Sequence, residues 1–179
     1  MNAQTVLDFW WQDLTPQQWF ARDAAVDQQI AERFTDLHRC AAQGELADWR
    51  VDMPGRLAEI IVLDQFSRNL FRDDARAFAC DGMAVVLTQT ALQHGDISLL
   101  NPQQASFLLM PLMHSESAQI HAYAAPLFAR WATDLSHEFA IKHRVIIERF
   151  GRYPHRNAVL GRPSTAEESA FLQQPGSSF

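Results

Sequence analysis

Residues Leu63–Ala79 read LDQFSRNLFRDDARAFA, and they continue directly from the apolar run RLAEIIVL at Arg56–Leu63. On a helix turning ~100° per residue, Leu57 and Ile61 share a face with Asp64, Arg68 and Arg72, and Gln65 lies close beside them. Ile60, Leu63, Phe66 and Leu70 point the other way. One face is therefore apolar throughout, while the other begins apolar and becomes charged. A surface helix normally keeps its polar side polar from end to end, so this pattern predicts a helix that leaves a core and enters a cleft. The alternative is an ordinary Asp64–Arg68 pair at i and i+4, contributing ~0.3–0.5 kcal/mol.

Outward from this stretch the same period recurs. Val26, Ile30, Phe34, Leu37 and Ala41 form a stripe that Asp23 can cap and Gly44 can stop. Thr5–Gln12 fits a first short helix, and Thr15-Pro16 fits the start of a further turn. Asp73-Asp74 offers a cap for a helix from about Ala75 to His94, and Asn101-Pro102 starts another that should break near Pro111. Ile120–Trp131 carries an apolar stripe with an interruption expected at Pro126. Ser136–Phe150 places Phe139, His143, Ile146 and Phe150 on one line, where His143 reads as a core histidine. Ser164 or Thr165 opens a capping box before a last helix ending near Leu172, followed by a loop-like tail, 173–179. Trp10, Trp11 and Trp19 predict an aromatic core cluster. No stretch alternates as a strand does, so the chain reads as all-α, with eight or nine short helices in one domain, 1–179.

At 179 residues, such a chain can bury ~70% of its unfolded surface without staples. A net charge of −6 argues against nucleic acid as a partner. The longest apolar run, FLLMPLM, falls far short of the ~20 residues that span a membrane, so no membrane partner is expected. MNAQTVLDFWW has no basic leader segment, and a cytoplasmic location is expected. Cys40 and Cys80 are expected to be free thiols. Lys142 is the one lysine, so nearly all positive charge is guanidinium, suited to bidentate pairing with carboxylate or phosphate.

Three polar clusters interrupt the apolar pattern: Asp64, Gln65, Arg68, Asn69 and Arg72; His114–Ser117; and Gly151–Asn157, GRYPHRN. Each ends a buried element, where loops held by a scaffold carry function. The candidate ligand-binding residues are Asp64, Gln65, Arg68, Asn69, Arg72, His114, Glu116, Arg152, His155, Arg156 and Asn157. Ser115 and Ser117 read as helix caps. With Asp64 and Glu116 as the available carboxylates, the arginines would leave a cleft net positive. The expected ligand is an anionic small molecule or an acidic peptide. The alternative is an enzyme in which His155 or His114 exchanges a proton and the arginines stabilise negative charge. No metal-ligand spacing, nucleophile elbow or phosphate loop is present, so neither metal nor cofactor is expected. A closed ionic clamp without a ligand is the competing structural reading.

VLDFWW, LDQFSRNLFR, PLMHSE, FGRYPHRN, LGRPST and the terminal PGSSF together resemble an uncharacterised bacterial family, the domain-of-unknown-function 924 family. The resemblance covers essentially the whole chain. It implies a compact right-handed helical array similar to a tetratricopeptide-repeat (TPR-like) superhelix, although the repeat consensus W-x2-L-G-x2-Y is not readable here. It implies no activity and no assigned catalytic residues.

Overall fold

A computed structural model describes residues 1–177. The structure is all-helical, with no strand among those residues. In chain order it contains α1 (Ala3–Asp8), α2 (Ala24–Ala42), α3 (Met53–Ile61), α4 (Ser67–Leu70), α5 (Asp81–His94), α6 (Pro102–His114), α7 (Ala118–Trp131), α8 (Asp134–Phe150) and α9 (Ala166–Phe171). The helix ends follow the sequence signals. Asp23 accepts the Ala25 and Val26 N–H groups at the start of α2, and Gly44 beyond its end has φ +78°. Asn101–Gln104 and Thr165–Glu168 close reciprocal capping boxes on α6 and α9.

The central element is the continuous helical run Met53–Leu70, in which a π turn at Val62–Phe66 joins α3 to α4. It packs against α1, α2, α5 and α6, and Leu57, Ile60, Ile61, Leu63 and Phe66 are all buried, as their spacing predicts. Two side chains serve the carbonyls of the π turn. The Ser67 hydroxyl donates to the Leu63 carbonyl at 2.5 Å, and Arg68 Nη1 donates to the Asp64 carbonyl at 2.7 Å. Later helices pack on their neighbours in sequence, α5 on α6, α6 on α7 and α7 on α8. Trp10, Trp11 and Trp19 surround Phe107 at ring separations of 5.3–5.5 Å, which makes the expected aromatic cluster part of the core.

Several expectations are corrected. The single helix from Ala75 to His94 is divided: Asp74 caps a 3₁₀ turn at Ala75–Phe78, Asp73 takes φ 59°, and α5 begins only at Asp81. Neither proline interrupts its helix; Pro111 lies inside α6 and Pro126 inside α7. Pro111 is itself buried among Leu108, Leu109 and Leu112, so core packing offsets the ~3 kcal/mol that a proline costs a helix interior. On α8, His143 and Ile146 are buried, whereas Phe139 is 36% exposed. Cys40 and Cys80 form no disulfide. The last two residues of the PGSSF segment lie outside the described residues.

Candidate functional site

The π turn brings Asp64 inward, and its carboxylate is 1% exposed. A buried charge of this kind must be paired on several sides. Asp64 Oδ1 lies 2.7 Å from His114 Nδ1, at the end of α6, and 3.2 Å from Arg68 Nη1, one turn further along its own helix. Oδ2 accepts the Gln65 amide at 2.5 Å. Burial works to raise the Asp64 pKa, but Arg68 and His114 outweigh it, and the carboxyl sits well below its ordinary range. Burial dominates at His114, against the pull of Asp64, and lowers its pKa from 6.5. At neutral pH the pair is therefore carboxylate and neutral imidazole. The ionised Asp64 fixes the proton on Nδ1, which leaves Nε2 as an acceptor with no hydrogen bond among the described residues.

Arg68 continues the chain of charges, with Nη2 3.1 Å from Asp81 in the first turn of α5. Arg156 meets the same carboxylate from the Pro154–Arg156 turn, Nη1 to Oδ2, at 3.0 Å. Its guanidinium lies between the Phe78 ring at 4.4 Å and the Tyr153 ring at 4.7 Å. Only 6% of Arg156 is exposed, and its Nε has no hydrogen-bond partner among the described residues. Glu116 holds the loop from beneath: it accepts the Tyr153 N–H at 2.7 Å and a bidentate pair from Arg162 at 2.6 and 2.9 Å. These contacts outweigh burial and lower the Glu116 pKa.

Tyr153 is fully buried at the centre of a group of histidines. Its hydroxyl donates to the Met113 carbonyl at 2.5 Å and stands 3.2 Å from His121 Nε2. The rings of His143 and His155 lie 5.6 and 5.5 Å from its own. Burial pushes the pKa of His143 down to about 3 and that of His155 down to about 4.

A cleft of about 300 Å³ opens where these elements meet, lined by Phe78, Asp81, Gly82, His114, Glu116 and Arg156 among others. Of the residues singled out in the sequence, His114, Glu116 and Arg156 line it, and Asp64 and Arg68 stand directly behind. The others are placed elsewhere. Arg72 and Asn69 both bind Asp27 of α2, because the helix stops at Leu70 and its continuation turns away. Gln65 is turned to Asp64 and the Met110 sulfur. Arg152 is spent on Glu168, and Asn157 on Ser164 and Arg162. His155 packs on Tyr153 and does not line the cleft. The expected excess of positive charge is also corrected. Arg68, Arg156 and Arg162 are matched by Asp64, Asp81 and Glu116. Asp81, Tyr153, Phe78 and Arg162 were missed. Arg162 and Tyr153 lie inside distinctive segments, while Asp81 looks like any acid in a first helical turn. Among the described residues, no three His, Cys, Asp or Glu side chains converge as a metal site.

An all-helical protein with a buried chain of ion pairs behind one cleft is a fold and a site, and comparison with known proteins supplies the family. The chain belongs to the family described as bacterial protein of unknown function (DUF924), whose model matches residues 6–176. It is similar to a protein of unknown function from Agrobacterium tumefaciens of solved structure, with 36% identity, a TM-score of 0.90 and 96% of each chain covered. No curated protein matches it. Among the described residues no helix is long and apolar enough to cross a membrane.

Proposed function

We propose that the cleft binds a small anionic molecule through Arg156. The observation that carries this reading is an almost fully buried guanidinium lying against the Phe78 and Tyr153 rings, with Nη1 engaged by Asp81, on the wall of a cleft. A planar fork fixed in this way recognises carboxylate or phosphate at little entropic cost. The volume stands at the lower end of the ~300–1,000 Å³ typical of small-molecule sites, which favours a compact ligand over an acidic peptide. Selectivity then comes from placed N–H donors, because the surrounding charges balance.

Thermal shift with acetate, succinate, phosphate and neutral acetamide tests the reading. A ligand at 100 times its Kd adds ~2.7 kcal/mol of stability, or about 5–10 °C in a domain of this size. The anions should raise the melting temperature, acetamide should not, and Arg156→Lys should abolish the response. Equal responses in wild type and Arg156→Lys would sink it. One observation favours a second reading, the closed clamp: Asp64, Asp81 and Glu116 all have arginine partners already. A clamp predicts loss of stability in Arg156→Lys and no anion response in either the wild type or the variant.

A further inference from the structure

The geometry points to catalysis in this cleft: His114, oriented by Asp64, is a general base that activates water against a carboxylic ester bound through its anionic group. The inference rests on the binding role of Arg156 and goes one step beyond it. Three features carry it. Asp64 Oδ1 holds His114 Nδ1 at 2.7 Å, which fixes both the tautomer and the ring plane. His114 lines the cleft, and its Nε2 makes no hydrogen bond among the described residues. Asp81 and Gly82 at the start of α5 line the same cleft; Gly82 has no side chain to shield the first-turn N–H groups, and the N-cap Cys80 supplies no capping bond. The first-turn N–H groups of α5 are the donors for a carbonyl oxygen that gains negative charge, and Arg156 is kept for the anionic group of the substrate.

No serine hydroxyl or cysteine thiol is hydrogen-bonded to His114 among the described residues. That arrangement suits direct attack by water instead of a covalent intermediate. In the first step a water O–H gives its proton to His114 Nε2, and the oxygen lone pair forms a bond to the carbonyl carbon. The carbonyl π pair moves onto oxygen, facing the α5 N–H groups, while Arg156 holds the substrate's anionic group. In the second step that pair returns and the bond to the alcohol oxygen breaks. The leaving oxygen keeps the bonding pair and takes the proton from Nε2. Ester and water become acid and alcohol, and the imidazole is unchanged. Asp64 acts as a positioning residue: it stays ionised and holds the imidazolium that forms. The lowered His114 pKa keeps Nε2 free to accept a proton at neutral pH.

The test uses two esters of similar size, 4-acetoxybenzoate and the uncharged phenyl acetate, with product release followed by chromatography. Wild type should hydrolyse 4-acetoxybenzoate in preference. The rate should rise with pH and level off below 6.5, since the base is free above a lowered pKa. His114→Gln should lower kcat about 100-fold with little change in KM, whereas Arg156→Lys should raise KM for 4-acetoxybenzoate and leave phenyl acetate unaffected. Should the Gln variant fail to fold, Asp64→Asn is the second variant. Its pH–rate inflection should move to lower pH, a change that loss of packing would not produce. A wild-type rate equal to that of buffer, or an undiminished rate in His114→Gln, overturns the catalytic role. The binding reading survives that result if 4-hydroxybenzoate still raises the melting temperature through Arg156, and both fall if it does not.

Discussion

Acidification should destabilise this protein well before its carboxylates begin to titrate, and His143 is the residue on which the effect can be isolated. It is 5% exposed, donates Nδ1–H to the Phe139 carbonyl at 2.8 Å, and faces the rings of His114 and Tyr153. Burial first, and the neighbouring His114 second, push its pKa from 6.5 down to about 3. The sign follows from proton counting. Below pH 6.5 the unfolded chain takes up a proton at this position and the folded chain does not, so stability falls as pH falls toward the folded pKa. At pH 5 the gap of 1.5 units from 6.5 corresponds to about 2 kcal/mol lost relative to pH 7.5, at about 1.4 kcal/mol per pH unit. That is a large share of the ~5–15 kcal/mol that holds a typical domain folded. His38, His114, His121 and His155 are shifted in the same direction by burial, so the wild-type slope should exceed that of one proton. Asp64 and Glu116 have lowered pKa values and contribute the same sign only at lower pH, as acidity passes the unfolded values of about 4. The window from pH 5 to 6.5 therefore belongs to the histidines. Urea unfolding at half-unit steps, for wild type and His143→Gln, reads the slope directly. Gln restores an N–H donor but cannot titrate, so the slope should fall by about 1.4 kcal/mol per pH unit even if absolute stability also drops. Parallel stability–pH lines for the two proteins would refute the reasoning.

Other perturbations test the fold around the site. A Cβ at Gly55 would sit 1.8 Å from the Trp49 carbonyl oxygen, so Gly55→Ala should cost ~2 kcal/mol or more in urea unfolding. Phe107→Ala removes the ring that Trp10, Trp11 and Trp19 surround and should cost ~3–5 kcal/mol, together with a change in tryptophan fluorescence. Glu116→Ala leaves Arg162 and the Tyr153 N–H without their carboxylate; a loss of ~2–3 kcal/mol is expected, and Glu116→Gln should recover part of it by keeping the acceptor.

The parts of this structure that local physics determines were legible in the sequence. Asp23, Asn101 and Thr165 cap where their side chains predict, and Leu57, Ile60, Leu63 and Phe66 are buried where a 3.6-residue period puts them. The site was legible only as far as one helix can show it. Asp64 and Arg68 pair at i and i+4 as their spacing implies, but the partners of Arg72, Arg152 and Arg156 lie 45, 16 and 75 residues away. No local pattern encodes such a choice. The π turn is a second cause, since one additional residue in a turn shifts every later side chain from its place on a regular wheel. Pro111 shows the third, a local rule outweighed by tertiary packing.

Whether the ionic cluster is a clamp or a site can be weighed from what it leaves unused. A network that serves stability alone gains little from buried charge, because well-packed apolar residues of similar volume commonly do as well or better. It has still less use for a buried donor without an acceptor, which costs ~1–3 kcal/mol. Arg156 has such a donor at Nε, only partly offset by the Phe78 and Tyr153 rings against its faces. His114 likewise engages Nδ1 on Asp64 and presents the other side of its ring at the cleft. The unpaired imidazole nitrogen belongs to a side chain lining the 300 Å³ cleft, whereas Arg156 Nε is closed to solvent and the contacts that fix the loop, those of Glu116 with Tyr153 and Arg162, are fully made. The cluster thus divides into a part that holds the helix ends together and, at the cleft wall, an imidazole with one nitrogen unpaired, which is the group that the proposed ligand would meet.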